Sequence, residues 1–260
     1  IINRFLNYWQ PQAALWVESE LWPVMLACLK KRHIPTTFLN ARMSEKSKIF
    51  WRKHRAWIQN ILGTFSLTHS QTAQDVAVLT ELGAAQCNHV GNLKYAANPL
   101  PVIDAGLKHL QNQIGVRPCW LMASTHVGEE AYALTVHQAL RADFPDLLTI
   151  IVPRHPGRGD GIADLLAKHN VTHARRSANE PIAAATEIYL ADTLGELGLF
   201  YRLASIVCLG GSFGAVGGHN PIEPAWLDCA LLCGPDMKNC IEVADEMKSN
   251  NALWQVRDPA

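Results

Sequence analysis

Short apolar runs alternate with longer amphipathic segments along the first hundred residues. The runs at 13–17, 36–40, 65–68 and 87–90 have the length and composition of buried strands. The segments 21–31, 46–62 and 73–82 show helical spacing of apolar residues, and another apparently helical segment opens the chain. Strands that alternate with helices form parallel sheets. The pattern therefore predicts an α/β fold built from βαβ units.

The same alternation restarts after a break around Asn98, Pro99 and Pro101, the best candidate for a linker. The second half again contains both predicted strands and predicted helices. Its predicted strands are 119–123, 147–152, 188–190, 206–209 and 230–232, and its predicted helices are 102–113, 129–142, 162–169, 194–203 and 221–228. We expect two domains, 1–97 and 98–260, each with a parallel sheet covered by helices.

Polar loops follow four of the predicted strands in the second half, at 124–129, 153–156, 191–196 and 210–223. The carboxyl ends of parallel strands lie at one edge of a sheet, where ligands bind in open α/β folds. All four loops are therefore expected on one rim, with their polar side chains converging there.

The loop at 210–223 is rich in glycine, which allows a backbone to approach a bound group closely. It leads into Asn220, Pro221 and Glu223 at a predicted helix start, where unpaired N–H groups favour an anion. Asn220 and Glu223 are placed to reach sugar hydroxyls. This arrangement suits a nucleotide-linked sugar, although a glycine-rich loop can also be a plain turn.

Arg154 follows an apolar strand and stands between Pro153 and Pro156, so its guanidinium is expected at the rim. A permanently charged, bidentate donor suits a phosphate, whereas the alternative is a surface arginine paired with a carboxylate. The loop position favours the phosphate.

Two further loop segments have capping patterns. Ser124, Thr125 and His126 precede two glutamates and can cap a helix or contact a ligand. Thr193 with Glu196 resembles a capping box whose backbone groups could still contact a base.

In the first half, Glu18 and Glu20 follow a predicted strand, and one can cap the next helix while the other faces the cleft. A carboxylate facing an anionic sugar nucleotide would have to be protonated, paired with Arg42 or Lys94, or opposite a developing positive charge. Without further evidence, a single lysine such as Lys94 is expected to be a solvated surface residue.

The segment 46–58 mixes cations with large aromatic residues. This composition is typical of a helix on an anionic membrane surface. Phe50, Trp57 and Ile61 could equally form its core face. Both interpretations stay open.

Composition excludes some classes of function. The 23 Lys and Arg balance the 23 Asp and Glu, so no global basic field favours nucleic acid. The seven scattered cysteines lack CxxC pairs, which favours reduced thiols over disulfides or a metal site. The sequence has no apolar run long enough to span a bilayer and points to no cofactor.

Seven motifs in order resemble the bacterial 3-deoxy-D-manno-octulosonic acid (Kdo) transferases specific for lipid A, of the GT-B class of glycosyltransferases. The motifs are ESELWP at 18–23, NARMS at 40–44, GNLKY at 91–95, STHVGEE at 124–130, PRHP at 153–156, DTLGEL at 192–197 and GGHNPIEP at 217–224. The resemblance implies two Rossmann-like domains with parallel sheets, the first incomplete here. Residues 1–97 would lie on the acceptor side and 98–260 would bind CMP-Kdo.

The resemblance also implies the reaction: inverting, metal-independent transfer of Kdo from CMP-Kdo to a lipid A precursor, lipid IVA, at the cytoplasmic face of the inner membrane in lipopolysaccharide synthesis. By position, the family's transition-state-stabilising residues fall on Glu18 and Lys94. Its CMP contacts fall on nine residues: Pro153, Arg154, Leu194, Gly195, Glu196, Asn220, Pro221, Ile222 and Glu223.

The resemblance places the family's membrane anchor and general-base glutamate before Ile1, and its C-terminal helices after Ala260. This piece is therefore expected to be soluble and to bind nucleotide rather than catalyse transfer. Two alternatives stay open: a sugar-nucleotide epimerase of similar fold, and a non-catalytic nucleotide-binding module.

Overall fold

The computed structural model describes residues 1–96 and 98–258, apart from the Lys94 side chain. The chain divides into two compact units, 1–97 and 98–260. Each has its own sheet and its own apolar core.

The first unit contains a four-stranded parallel sheet in the order β1-β2-β3-β4. Its elements in chain order are α1 (Ile2–Trp9), β1 (Ala14–Val17), α2 (Pro23–Lys31), β2 (Thr36–Ala41), α3 (Glu45–Lys53), α4 (Arg55–Leu62), β3 (Leu67–Ser70), α5 (Ala73–Glu81) and β4 (Cys87–His89), followed by a 3-10 helix (Leu93–Ala96). The rings of Phe38 and Phe65 stack in the core with their centroids 4.8 Å apart.

The prediction of a single helix over 46–62 is wrong. The chain breaks at His54, whose φ of −116° and ψ of 44° are not helical, and α3 and α4 lie on either side. No proline or glycine marks this break in the sequence, so the amphipathic pattern runs through it. Ile58, Ile61 and Leu62 of α4 point into the core.

The second unit contains a seven-stranded sheet in the order β11-β10-β9-β5-β6-β8-β7, with every pair parallel. Its elements are α6 (Asp104–Ile114), β5 (Cys119–Thr125), α7 (Glu129–Leu140), β6 (Leu148–Pro153), a 3-10 turn (Pro156–Arg158), α8 (Gly159–Lys168), β7 (His173–Arg175), β8 (Ile188–Leu190), α9 (Leu197–Tyr201), β9 (Ile206–Leu209), α10 (Ile222–Ala225), β10 (Ala230–Cys233), α11 (Ile241–Ser249) and β11 (Trp254–Gln255). The predicted α/β class with parallel sheets is confirmed.

Strand order changes direction at β5, because β6 lies on one side of it and β9 on the other. Alternate β5 residues fill two cores: Leu121 and Ala123 pack into one, and Trp120 and Met122 into the other. The carboxyl end of β5 is therefore the topological switch point at which open α/β sheets bind ligands.

The sequence pattern missed β7, α11 and β11. β7 buries only Ala174 fully, and β11 is two exposed residues, so neither has a strand-like apolar run. The helix expected over 194–203 covers only Leu197–Tyr201, and the one expected over 221–228 is a single turn, Ile222–Ala225.

Candidate functional site

The four polar loops of the second unit do lie at one edge of its sheet. They follow β5, β6, β8 and β9, which are adjacent and parallel in the order β9-β5-β6-β8. The prediction of a common rim is confirmed, because it follows directly from strand order and direction.

A pocket of about 300 Å³ opens at this edge. Residues from the ends of strands, from the loops that follow them and from the next helices line it: Ser124, Val152, Pro153, Arg154, Thr193, Leu194, Gly195, Leu197, Tyr201, His219, Asn220 and Glu223. Six of the nine residues expected to contact CMP are among them. Glu196, Pro221 and Ile222 are not.

Arg154 is exposed at the mouth of the pocket, directly after β6. Its backbone N–H donates to the Thr125 carbonyl (3.0 Å), which fixes the start of its loop against the end of β5. Within the described ranges, no carboxylate forms an ion pair with its guanidinium. The charge is thus available to an anion in the pocket.

The Glu129 carboxylate connects the loop after β5 to the glycine-rich loop after β9. It is 4% exposed and accepts backbone N–H bonds from His126 (2.8 Å), Gly211 (2.7 Å) and Phe213 (3.1 Å). One buried charge therefore shapes both loops, since its three donors belong to two segments far apart in sequence.

The second glutamate of this helix, Glu130, forms a bidentate ion pair with Arg158, with both N–O distances 2.7 Å. It also accepts a 2.5 Å bond from the Thr125 hydroxyl. The expectation that Ser124 or Thr125 caps α7 is wrong, because the helix follows Gly128 with no side-chain cap. The hydroxyl of Thr125 is committed to Glu130 instead.

The loop after β8 is held by a similar pair. Arg176 donates to both oxygens of Glu196 (3.1 and 2.6 Å), and the Thr193 hydroxyl donates to the same carboxylate (2.5 Å). The hydrogen bond from Arg176 lowers the Glu196 pKa against the opposing effect of burial. Thr193 is not the N-cap of α9, since that helix begins at Leu197. Glu196 therefore fixes the loop that presents Leu194 and Gly195 to the pocket.

The loop after β9 ends in a turn that places Asn220 and Glu223 at the pocket. The Asn220 side-chain oxygen accepts from the backbone N–H of Ile222 (3.1 Å). Pro221 and Ile222 are buried, which anchors this turn. Burial raises the Glu223 pKa, although a hydrogen bond from Asn220 opposes the shift, so Glu223 is more readily protonated than an exposed glutamate.

Two histidines also lie at this edge, and sequence reasoning gave them no definite role. The Nε2 atoms of His126 and His219 are 3.0 Å apart, and their rings stack with centroids 5.2 Å apart. Gly211 makes room for them, because a Cβ there would be 3.0 Å from His219 Nε2. His126 belongs to the motif STHVGEE and His219 to the motif GGHNPIEP, so the two motifs were the sequence signal for this pair.

The catalytic residues expected in the first unit lie at the carboxyl ends of its strands. Glu18 follows β1 with a left-handed φ of 62°, and its N–H donates to the Leu39 carbonyl (3.1 Å). Lys94 belongs to the 3-10 helix, but its side chain is outside the described part of the structure. Asn40 accepts from the backbone N–H of Leu93 (3.1 Å), joining the NARMS and GNLKY segments.

The described residues, 1–96 and 98–258, contain neither a metal-ligand cluster nor a membrane-spanning helix. No group of three or more His, Cys, Asp or Glu side chains there is placed to hold a metal ion. None of the helices there is long and apolar enough to cross a bilayer.

Solved structures define the fold class. The UDP-GlcNAc 2-epimerase from Neisseria meningitidis, solved bound to UDP-GlcNAc, is 13% identical with a TM-score of 0.62, over 98% of this chain and 66% of that chain. At this identity the likeness concerns the fold alone, which is of the GT-B type.

Sequence comparisons define the family. Residues 1–97 match the family described as 3-deoxy-D-manno-octulosonic-acid transferase (kdotransferase). The C-terminal CMP-Kdo binding domain of WaaA from Acinetobacter baumannii is 34% identical with a TM-score of 0.57, over 60% of this chain and 82% of that domain. The chain belongs to the Kdo transferase family.

Curated relatives described as Kdo transferases match nearly the whole length of this chain. The 3-deoxy-D-manno-octulosonic acid transferases of Rickettsia felis and Haemophilus influenzae are 35% and 38% identical over 98% and 100% of this chain. The chain spans 55% and 61% of the length of these two relatives.

Proposed function

We propose that this chain contains the donor-binding part of a glycosyltransferase that moves Kdo from CMP-Kdo to a lipid A precursor, lipid IVA. One observation carries the proposal. Arg154, Gly195, Asn220 and Glu223, from three separate loops, line one pocket, and 60% of this chain is similar to a CMP-Kdo binding domain.

In this proposal the phosphate of CMP-Kdo lies against Arg154, whose guanidinium has no competing ion pair within the described residues. The exposed backbone around Leu194 and Gly195 contacts the cytosine, and Asn220 and Glu223 contact the ribose hydroxyls. Glu196, which pairs with Arg176, acts by holding its loop, and Pro221 and Ile222 act by anchoring theirs.

The proposed chemistry is direct displacement with inversion and without a metal ion. The acceptor hydroxyl oxygen attacks the anomeric carbon of Kdo, and its proton passes to a carboxylate general base. The bond from that carbon to the phosphate oxygen breaks, and CMP leaves with the electron pair. Arg154 stabilises the charge that grows on the phosphate. Glu18 and Lys94 are proposed to stabilise the transition state from the acceptor side.

The acceptor is proposed to approach from an anionic membrane surface, the cytoplasmic face of the inner membrane. Support comes from α3 and α4, where Ile49, Phe50 and Trp57 are 57%, 46% and 52% exposed. The neighbouring cations Lys46 and Lys53 are also exposed. Apolar groups beside cations suit anionic lipid, whereas the buried stripe of α4 serves the core.

Calorimetric titration with CMP, UMP and UDP tests the donor site. We expect CMP to bind and both uridine nucleotides to bind at least about tenfold more weakly. Arg154→Ala should weaken CMP binding about 10- to 100-fold, because a charge-assisted contact with phosphate contributes about 1.5–3 kcal/mol. Arg4→Ala is the matched control, since Arg4 is an exposed arginine of the first unit.

Each alternative gives a different result. Preference for a uridine nucleotide would favour the epimerase and overturn the transferase proposal. Binding of CMP with no transfer of Kdo to lipid IVA, even by a longer version of the protein, would leave a non-catalytic nucleotide-binding module. Equal losses in Arg154→Ala and Arg4→Ala would remove Arg154 from the site.

A further inference from the structure

The stacked histidines His126 and His219 join two loops of the donor pocket, but none of the contacts proposed above uses them. His219 lines the pocket beside Asn220, and His126 follows Ser124 and Thr125 at the end of β5. Their Nε2 atoms, 3.0 Å apart, are at hydrogen-bond distance. A histidine pair at the wall of an anion pocket can carry charge, so its protonation matters for binding.

The contact between the two rings limits how many protons they can hold. In an Nε2–H···Nε2 hydrogen bond one nitrogen donates and the other accepts. The pair is therefore intact when both rings are neutral, and also when one of them is an imidazolium. Two imidazolium rings would place two N–H groups against each other. The pair thus behaves as one site with room for a single extra proton.

The surroundings decide whether that proton is present. Burial lowers the His219 pKa first, and His126, Arg154 and His155 lower it further, while Glu129 raises it. The effect of Glu129 on the His219 pKa is smaller than those of burial, His126 and Arg154. Glu223 lines the same pocket, and burial favours its neutral form. Together these effects favour the neutral form of His219.

We propose that the His126–His219 pair is a second anion-binding element beside Arg154, which takes up one proton from solvent when the phosphate of a cytidine nucleotide enters the pocket. This inference rests on the donor site proposed above. A dianionic phosphate next to Arg154 offsets the repulsion between that guanidinium and a protonated histidine. The protonated pair then donates a charge-assisted hydrogen bond to the phosphate.

Calorimetric titration with CMP in buffers of different ionisation enthalpy measures the proton uptake directly. We expect uptake near neutral pH in the wild type, and its loss in both His126→Gln and His219→Gln. A shift of one pKa unit corresponds to about tenfold in affinity, so CMP should bind up to about tenfold tighter at pH 6 than at pH 8 relative to the variants.

Two controls separate the pair from other titrating groups. His169→Gln changes an exposed histidine at the carboxyl end of α8, which does not line the pocket, and should leave the proton uptake unchanged. Cytidine lacks the phosphate and should bind without proton uptake. The histidine signals in NMR titrations of the free and CMP-bound protein report the same change in protonation without any assay of transfer.

The outcomes also separate this inference from the donor site itself. Tight CMP binding with equal proton uptake in the wild type and in both glutamine variants would overturn the histidine proposal alone. Uptake lost in His169→Gln would overturn it as well. If CMP does not bind the wild type, the proposed function fails and the histidine proposal fails with it.

Discussion

Individual carboxylates fix three of the loops around the candidate pocket. Glu130 and Glu196 each pair with one arginine, whereas Glu129 has only backbone donors. A buried carboxylate without a cation depends on its hydrogen bonds, because the charge loses its hydration. Glu129 is therefore the residue in this site with the strictest requirement for its charge.

Glu129→Gln tests that requirement. An amide keeps the shape, but its NH2 group must face at least one backbone N–H, so a buried donor loses its acceptor. We expect a loss of about 2–3 kcal/mol in the stability of the second unit. Glu242→Gln is the control, since Glu242 is an exposed glutamate in the first turn of α11. It should change stability by less than about 0.5 kcal/mol.

Native-state hydrogen exchange of peptides from the second unit measures both variants without interference from the first unit. Protection should fall most around the loops that follow β5 and β9. Equal protection in Glu129→Gln and Glu242→Gln would show that the three N–H bonds do not hold these loops.

At the scale of elements, the glycine-rich loop depends on close approach between two strand ends. β9 stops at Leu209, and the N–H of Gly210 donates to the Ala123 carbonyl (2.7 Å). A Cβ at Gly210 would be 2.6 Å from the Ser124 carbonyl oxygen and 2.8 Å from Thr125 Cα. These are backbone atoms of β5, so they cannot rotate out of the way.

Gly210→Ala should therefore destabilise the second unit by about 1–3 kcal/mol, the usual range for overpacking, and weaken CMP binding. Gly214→Ala in the same loop is the control, because nothing lies within 4 Å of its added Cβ. Urea unfolding and CMP titration of both variants check this. If Gly210→Ala left both the stability and CMP binding unchanged, the two strand ends would have to move apart at little cost in free energy.

The pattern of elements could be predicted wherever burial dictates it. β5, β6 and β9 are apolar runs followed by turn residues, so their positions and the convergence of their loops followed from the sequence. The break at His54 and the strand β7 could not be predicted, since no local residue type marks them. The Arg176–Glu196 pair depends on tertiary packing across twenty residues, which no sequence spacing reveals.

At the scale of the whole molecule, the donor pocket belongs to one unit. All of its lining residues lie between Ser124 and Glu223, within 98–260. The two units also have separate cores, one around Phe38 and Leu79 and the others around Tyr189 and Ile151.

Residues 98–260 expressed alone should therefore fold and bind CMP with the Kd of the whole chain, within about threefold. The physical reason is that binding depends on the pocket and on the pairs that hold its loops, and all of these are internal to the second unit. The related domain from Acinetobacter baumannii was itself solved as a separate domain. Circular dichroism checks folding, and calorimetry with CMP checks binding.

Residues 98–260 carrying Arg154→Ala supply the control, because the loss of affinity should match the loss in the whole chain. A folded second unit that binds CMP more than about tenfold more weakly would require a contribution to the donor site from residues 1–97, since tenfold corresponds to about 1.4 kcal/mol of missing contacts. Glu18 would then be the first residue to substitute, because it lies at the carboxyl end of β1 in the first unit and is one of the two positions proposed to act from the acceptor side.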